Sequence, residues 1–343
     1  MVEEAPSVPK EIEIRDRATR AIERYILKPE WDNLLKDFGY TPPDTQDLGK
    51  IIEAQKAFTN AHWDMRNLGG VKRERGATPD ISVPKDKEEA VLETAKSLGM
   101  VDGSMPKDKD KHRIVVLGAG GTQAFYRALQ AKESGVTSDI AVLTGDIEYT
   151  TGPIIKMRAE EDRNRFHRDE RREAYDRQML ALDPTGMNKI PESVFMSAAA
   201  HAVWGEIQPD ESFAIKAGYE EHDVAHNKDS VKLYHATGND KKPDIIIIQA
   251  QNRDPENRKR ANTADTYEAL QDFLPPTATK LLVSTTGLFV PFQHLDAVRT
   301  FQGREVETIG FDTKLSSFHS RSKYLQEMNS MVNSASILYQ TII

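Results

Sequence analysis

The sequence predicts an α/β protein: a doubly wound, mostly parallel, Rossmann-like sheet with an N-terminal helical extension and a helical insertion. Three observations carry that expectation. After residue 110, short apolar runs rich in β-branched residues recur, each ending in glycine or hydroxyl residues. Helical patterns alternate with these runs, and strand, helix, strand within about thirty residues is a parallel, right-handed βαβ unit. Before residue 112 no strand-like run occurs. The division expected is a helical extension over 1–110 and a sheet domain over 111–343, interrupted by a helical insertion at about 155–240.

In the extension, Ile12, Ala18, Ala21, Ile22, Tyr25 and Ile26 recur at threes and fours, which predicts helix from Glu11 to about Asp37. Gly39 and Pro42-Pro43 end it. Leu48 to Met65 reads as a second helix and Asp86 to Leu98 as a third, with Asp86 a candidate N-cap and Gly99 the stop. The sheet domain opens with Ile114-Val115-Val116-Leu117, a buried strand that runs into Gly118, Gly120 and Gly121. Thr122 is placed to cap the helix that follows. A strand, a glycine turn and a helix N-terminus present backbone N–H groups and a positive dipole end to an anion. Ile140 to Asp146 is the next strand, ending Thr144-Gly145-Asp146.

Residues 156–180 are densely charged, with Arg163, Arg165, Arg168, Arg171, Arg172 and Arg177 interleaved with Glu160, Asp162, Asp169, Glu170 and Glu173. That is the pattern of a solvated helix laced with i,i+4 pairs, or of an arginine clamp over the sheet edge. Pro191 to Ala202 and Glu211 to Ala225 read as helices. Asp244 to Gln249, with four consecutive isoleucines, suits a strand covered on both faces. Asn262-Thr263-Ala264-Asp265-Thr266 opens a helix with its own cap. Lys280 to Thr286 is a strand ending in hydroxyls, Phe292 to Phe301 a helix, Glu305 to Ile309 a short strand, and Tyr324 to Leu338 a closing amphipathic helix.

Composition narrows the function. The 343 residues are 38% hydrophobic and 29% charged, with a net charge of −8, which argues against a nucleic-acid binder. There is no cysteine, so disulfides, a cysteine nucleophile and thiolate metal sites are excluded. The first sixteen residues lack an apolar core and do not read as a signal peptide, and no run approaches the ~18 apolar residues of a membrane span. The location expected is the cytoplasm. His222 and His226 stand four apart, a spacing seen in metal ligands. Two histidines do not fill a site, and no metal is expected.

In an open parallel sheet, ligands collect beyond the carboxyl ends of the strands. Gly118, Gly120, Gly121, Thr122, Thr144, Gly145, Arg253, Asn262, Thr263, Ser284 and Thr285 should line that edge. With Arg127 on the first helix, they supply amides, hydroxyls and cations suited to a nucleotide-like or phosphorylated small molecule. In this reading the glycines approach the anion and Arg127 or Arg253 pairs with it. Asp146 or Asp265 acts as proton acceptor or ribose partner, so these two are the catalytic candidates. A second reading makes the chain a non-catalytic regulatory or assembly protein, with a homodimer or another partner held through the helical regions. A third, a metal-dependent hydrolase using Asp146, His222 and His226, is the least favoured.

The order of these pieces resembles the DUF218 family, the YdcF-like and ElyC/SanA-like proteins. The matching pieces are IVVLGAGG, Arg127 on the next helix, Leu143-Thr144-Gly145-Asp146, the Asn262–Thr266 segment, Leu282-Val283-Ser284-Thr285 and Phe292-Gln293-His294. Gln293 stands where that family usually has His, and Asp296 where it has Arg. The resemblance implies a Rossmann-like sheet with a polar pocket at the strand ends, a link to envelope biogenesis, and S-adenosylmethionine or a nucleotide as cofactor.

Overall fold

The computed structural model describes residues 11–67, 78–110, 113–138, 140–146, 170–182, 192–205, 207–209, 230–236, 243–250, 252–254, 256, 261–271, 274, 276–316 and 320–342. The protein is α/β and divides into two compact units. One comprises Met105–Thr285 with Arg304–Phe311, the other Ser7–Ser104 with Thr286–Gly303 and Asp312–Ile343. The N-terminal helices, expected as an extension over 1–110, group with Thr286–Gly303 and Asp312–Ile343. They share a core with helices from the C-terminal third.

In the helical unit, α1 (Glu11–Ile26) buries Ala18, Ala21, Ile22, Tyr25 and Ile26, the i,i+3,i+4 stripe of an amphipathic helix. Pro29 sits in the first turn of α2 (Pro29–Asp37), where its missing N–H costs nothing, and so splits the single helix expected over 11–37 into two. Asp47 caps α3 (Leu48–Trp63) by accepting from the Lys50 amide at 3.1 Å. A 3₁₀ turn at Lys85–Lys87 precedes α4 (Glu88–Ser97), so Asp86 lies inside that turn and is not the helix cap. Val290–Thr300 and Arg321–Ile342 are also helical. The core joins Ile22, Trp31 and Trp63 to Leu295 and to Leu325, Met328, Met331 and Val332.

The sheet unit holds seven strands in the order β3-β4-β5-β2-β1-β6-β7. These are β1 (Arg113–Val116), β2 (Ile140–Asp146), β3 (Ile207–Pro209), β4 (Ser230–Ala236), β5 (Asp244–Ala250), β6 (Lys280–Thr286) and β7 (Glu305–Phe311). The central strands β5, β2, β1 and β6 pair in parallel. Strands β3 and β4 are antiparallel additions to the β5 edge. They fall where a helical insertion was expected, so that region is mixed. Among the described residues its helices are α6 (Glu170–Leu182) and α7 (Glu192–Trp204), which follow α5 (Thr122–Glu133) in the chain. Helix α8 (Thr263–Gln271) links β5 to β6, and the two C-terminal helices named above are α9 and α10. α7 packs on α5, β2 and β5, so one face of the sheet is covered by α5 and α7 together. The isoleucines of β5 are all buried, as a strand covered on both faces requires.

Candidate functional site

The register pairs two positions at the carboxyl edge. Gly145 on β2 pairs with Gln249 on β5, and Leu143 pairs with Val116 on β1. Strand β1 ends at Val116, and beyond it the Gly118 amide meets the Thr144 side chain. Gly145, which has no side chain, thus lies beside Gln249 on the neighbouring strand. Adjacent strands are spaced about 4.8 Å apart, so the two lie within that distance of each other.

The glycine end is held rigidly. The Gly118 amide donates to Thr144 Oγ1 at 3.0 Å, and the Leu117 amide donates to the Ser284 carbonyl at 3.0 Å. Arg127 reaches back from α5 and donates to the carbonyls of Leu117 at 3.0 Å and Gly118 at 2.5 Å. Ser284 Oγ donates to the Arg127 carbonyl at 2.7 Å. Arg127 is 3% exposed, and burial pulls its guanidinium down to about 10, against the nearby charges of Glu192 and Tyr267. It remains a cation at neutral pH, lying beneath the turn. The structure thus joins Gly118, Arg127, Thr144 and Ser284 in one network.

Gly121 is the N-cap of α5, with φ 61° and ψ −144°, a conformation that favours glycine. Thr122 is the first helical residue and not the cap, and no side chain caps the helix. The first amides of a helix have no partner within it, so α5 directs a positive dipole end at the turn. Helix α6 covers this end: Tyr175 Oη donates to the Gly121 carbonyl at 2.5 Å, and Arg172 donates to Tyr126 Oη at 3.0 Å while pairing with Asp176 at 2.9 Å. Burial pushes the Tyr175 phenol up, which keeps it a neutral donor.

Near the end of β5, Gln249 is 6% exposed. Ser193, in the first turn of α7, donates to its Oε1 at 2.9 Å. Its Nε2 finds no hydrogen-bond partner among the described residues. A buried amide donor left unpaired costs about 1–3 kcal/mol, so its presence calls for an explanation.

The other expected site residues stand as follows. Gly120 in the turn and Thr122 at the first position of α5 are partly exposed, and Thr285 is fully buried on β6. Asn262 and Asp265 form a reciprocal cap on α8: Asn262 Oδ1 accepts from the Asp265 amide at 3.0 Å, and Asp265 Oδ2 accepts from the Asn262 amide at 2.8 Å. The Asp265 carboxylate thus serves its own helix. Thr263 is partly exposed on α8 and Arg253 is exposed beyond β5. The backbones of Gly145 and Asp146 end β2, while the Asp146 side chain, His222 and His226 lie outside the described residues. Among the described residues no cluster of three metal-ligating side chains occurs. The residues that sequence reasoning missed are Gln249, Ser193 and Tyr175. Gln249 carries the only readable signal, an amide closing a run of four isoleucines.

What the fold and site define is an α/β protein with a glycine turn, a helix N-terminus and a buried amide along one strand edge. The Rv3785 N-terminal domain family matches residues 10–99, which holds α1 to α4. The uncharacterized protein Rv3785 of Mycobacterium tuberculosis is 25% identical over 335 residues, covering 90% of this chain and 86% of its own. The uncharacterized protein Mb3814 of Mycobacterium bovis matches to the same extent. No solved structure matches. These matches overturn the resemblance to the DUF218 family. The pieces that suggested it are short and locally explained: the Asn262–Asp265 motif is a helix cap, and the glycines close a turn. No helix among the described residues is long and apolar enough to cross a membrane.

Proposed function

We propose that the sheet unit binds a phosphorylated small molecule at the carboxyl edge, between the glycine turn and Gln249, in a doubly wound arrangement and a cytoplasmic setting. The observation that carries this reading is the buried, unpartnered Nε2 of Gln249, level with Gly145 at the end of β2. The phosphate meets the uncapped N-terminus of α5, and the Arg127 cation beneath the turn adds to the attraction. Gly145 leaves room for the body of the ligand between the two ends. The expected ribose or catalytic role passes from Asp265, which caps α8, to Asp146 at the end of β2.

Thermal unfolding of the full chain with millimolar inorganic phosphate, ribose 5-phosphate and nucleoside monophosphates tests this. Binding to the native state raises the midpoint, by an amount equivalent to about 2.7 kcal/mol at a hundredfold excess over Kd. At least one of these ligands should raise it, and Gly121→Val, which forces a side chain into a left-handed backbone, should remove the rise. No rise with any phosphorylated compound contradicts the reading.

A further inference from the structure

Resting on that reading, we infer that α6 is a lid over the phosphate site, latched by the Tyr175 hydroxyl and closed further by bound ligand. The argument starts from where α6 hangs in the chain. It lies between the end of β2 and the start of α7. Both points stand at the carboxyl edge, since Ser193 in the first turn of α7 meets Gln249 near the end of β5 at 2.9 Å. A helix inserted there belongs to the edge where parallel sheets take their ligands.

The contacts of α6 with α5 run in one direction. Arg171 pairs with Glu133 at the last residue of α5, Arg172 meets Tyr126, and Tyr175 reaches Gly121 at the N-cap. Past Tyr175, α6 continues in that direction through Leu182, about 10 Å along its axis. It therefore overhangs the start of α5, where the phosphate is placed.

The hold on α5 is slight. Among the described side chains of α6, those buried are Arg172, Tyr175 and Met179. The described links to α5 are the Tyr175 and Arg172 hydrogen bonds, the Tyr175 and Arg172 contacts with the Phe125 ring, and an ion pair of half-exposed groups. A surface ion pair contributes little, and an element with few buried apolar contacts opens more readily than a core strand. Strand β5, by contrast, is buried from Ile245 to Ala250.

The bond at Gly121 distinguishes a lid from a plug. Tyr175 Oη donates to the Gly121 carbonyl, and in a planar trans peptide the amide of the next residue points the opposite way. That amide is the one of Thr122, and among the described residues no group accepts from it. The latch thus takes the carbonyl side and leaves the donor side to an anion. α6 does not compete with the ligand for the α5 amides. It shields them from water, which strengthens their attraction for a charge, so ligand and closed helix favour each other.

Hydrogen–deuterium exchange of the full chain tests the inference, run with and without millimolar inorganic phosphate or ribose 5-phosphate, beside isothermal titration with the same compounds. Amides of α6 should exchange at least about tenfold faster than those of β5, through local opening. Tyr175→Phe keeps the ring on Phe125 and removes the latch. It should speed α6 exchange about three- to tenfold and leave β5 unchanged. Ligand should slow α6 exchange in the wild type. Exchange of α6 no faster than that of β5, no response to Tyr175→Phe, or faster exchange with ligand overturns the lid. Binding by titration with α6 exchange unmoved also overturns the lid and leaves the phosphate reading standing. No binding of either compound overturns that reading and the lid with it. Far-ultraviolet circular dichroism confirms that the variant is folded, and the ligand effect on the wild type needs no variant.

Discussion

Asn262 and Asp265 show how one short segment can read as chemistry and act as structure. Read along the chain, the pair suggested a ligand contact and a general base. In the fold each side chain accepts from the other's amide at the start of α8. Their spacing of three is what a reciprocal cap requires, and the same spacing is what made them resemble a motif. Asn262→Ala should therefore lower stability by about 1 kcal/mol, read as a shift of the urea midpoint at constant slope. An unchanged midpoint contradicts the capping role. Gln249 is the reverse case. Sequence periodicity assigns it to a buried strand and is silent on its chemistry, because only the fold shows that its amide meets Ser193.

At the level of the element, the regular pieces were legible where apolar spacing was strict. The β5 isoleucines and the stripe of α1 emerge as expected, because burial of those residues leaves little alternative. β4 was not legible: SVKLYHA is a short, polar run, and only antiparallel pairing with β5 makes it a strand. Helix α9 makes an expectation of its own. Burial, with repulsion from Arg24, pulls His294 down to about 3, while burial pushes Asp296 up to about 6 against Arg299 and a bond with Ser334. His294 thus contributes stability above its ordinary value of 6.5 that is lost as pH falls toward 3. Asp296 contributes stability below 3.8 that is lost as pH rises through 6. Between about pH 4 and 6 the two slopes oppose, each about 1.4 kcal/mol per unit. Relative to the wild type, His294→Gln should gain stability on acidification across that window and Asp296→Asn should lose it. Denaturant titrations in which both variants follow the same trend would rule this out.

Across the whole molecule, the α/β class could be read from the alternation of runs, but the grouping of elements could not. The family match covers 10–99, yet the core around Trp31 and Trp63 includes Leu325, Met328, Met331 and Val332, more than two hundred residues further on. A repeat distance of three or four residues carries no information on contacts that far apart. A fragment comprising residues 7–104 should therefore show no cooperative thermal transition, lacking the helix that fills its core, and a sharp transition in that fragment would contradict this account of the helical unit. The sheet unit carries the functional claim, and its most direct test is the side-chain amide resonance of Gln249 during titration of the ¹⁵N-labelled full chain with uridine monophosphate. A saturable shift of the Gln249 Nε2 protons, together with the backbone amides of Gly120 and Gly121, is the result expected. Binding that leaves the Gln249 amide unmoved would contradict it.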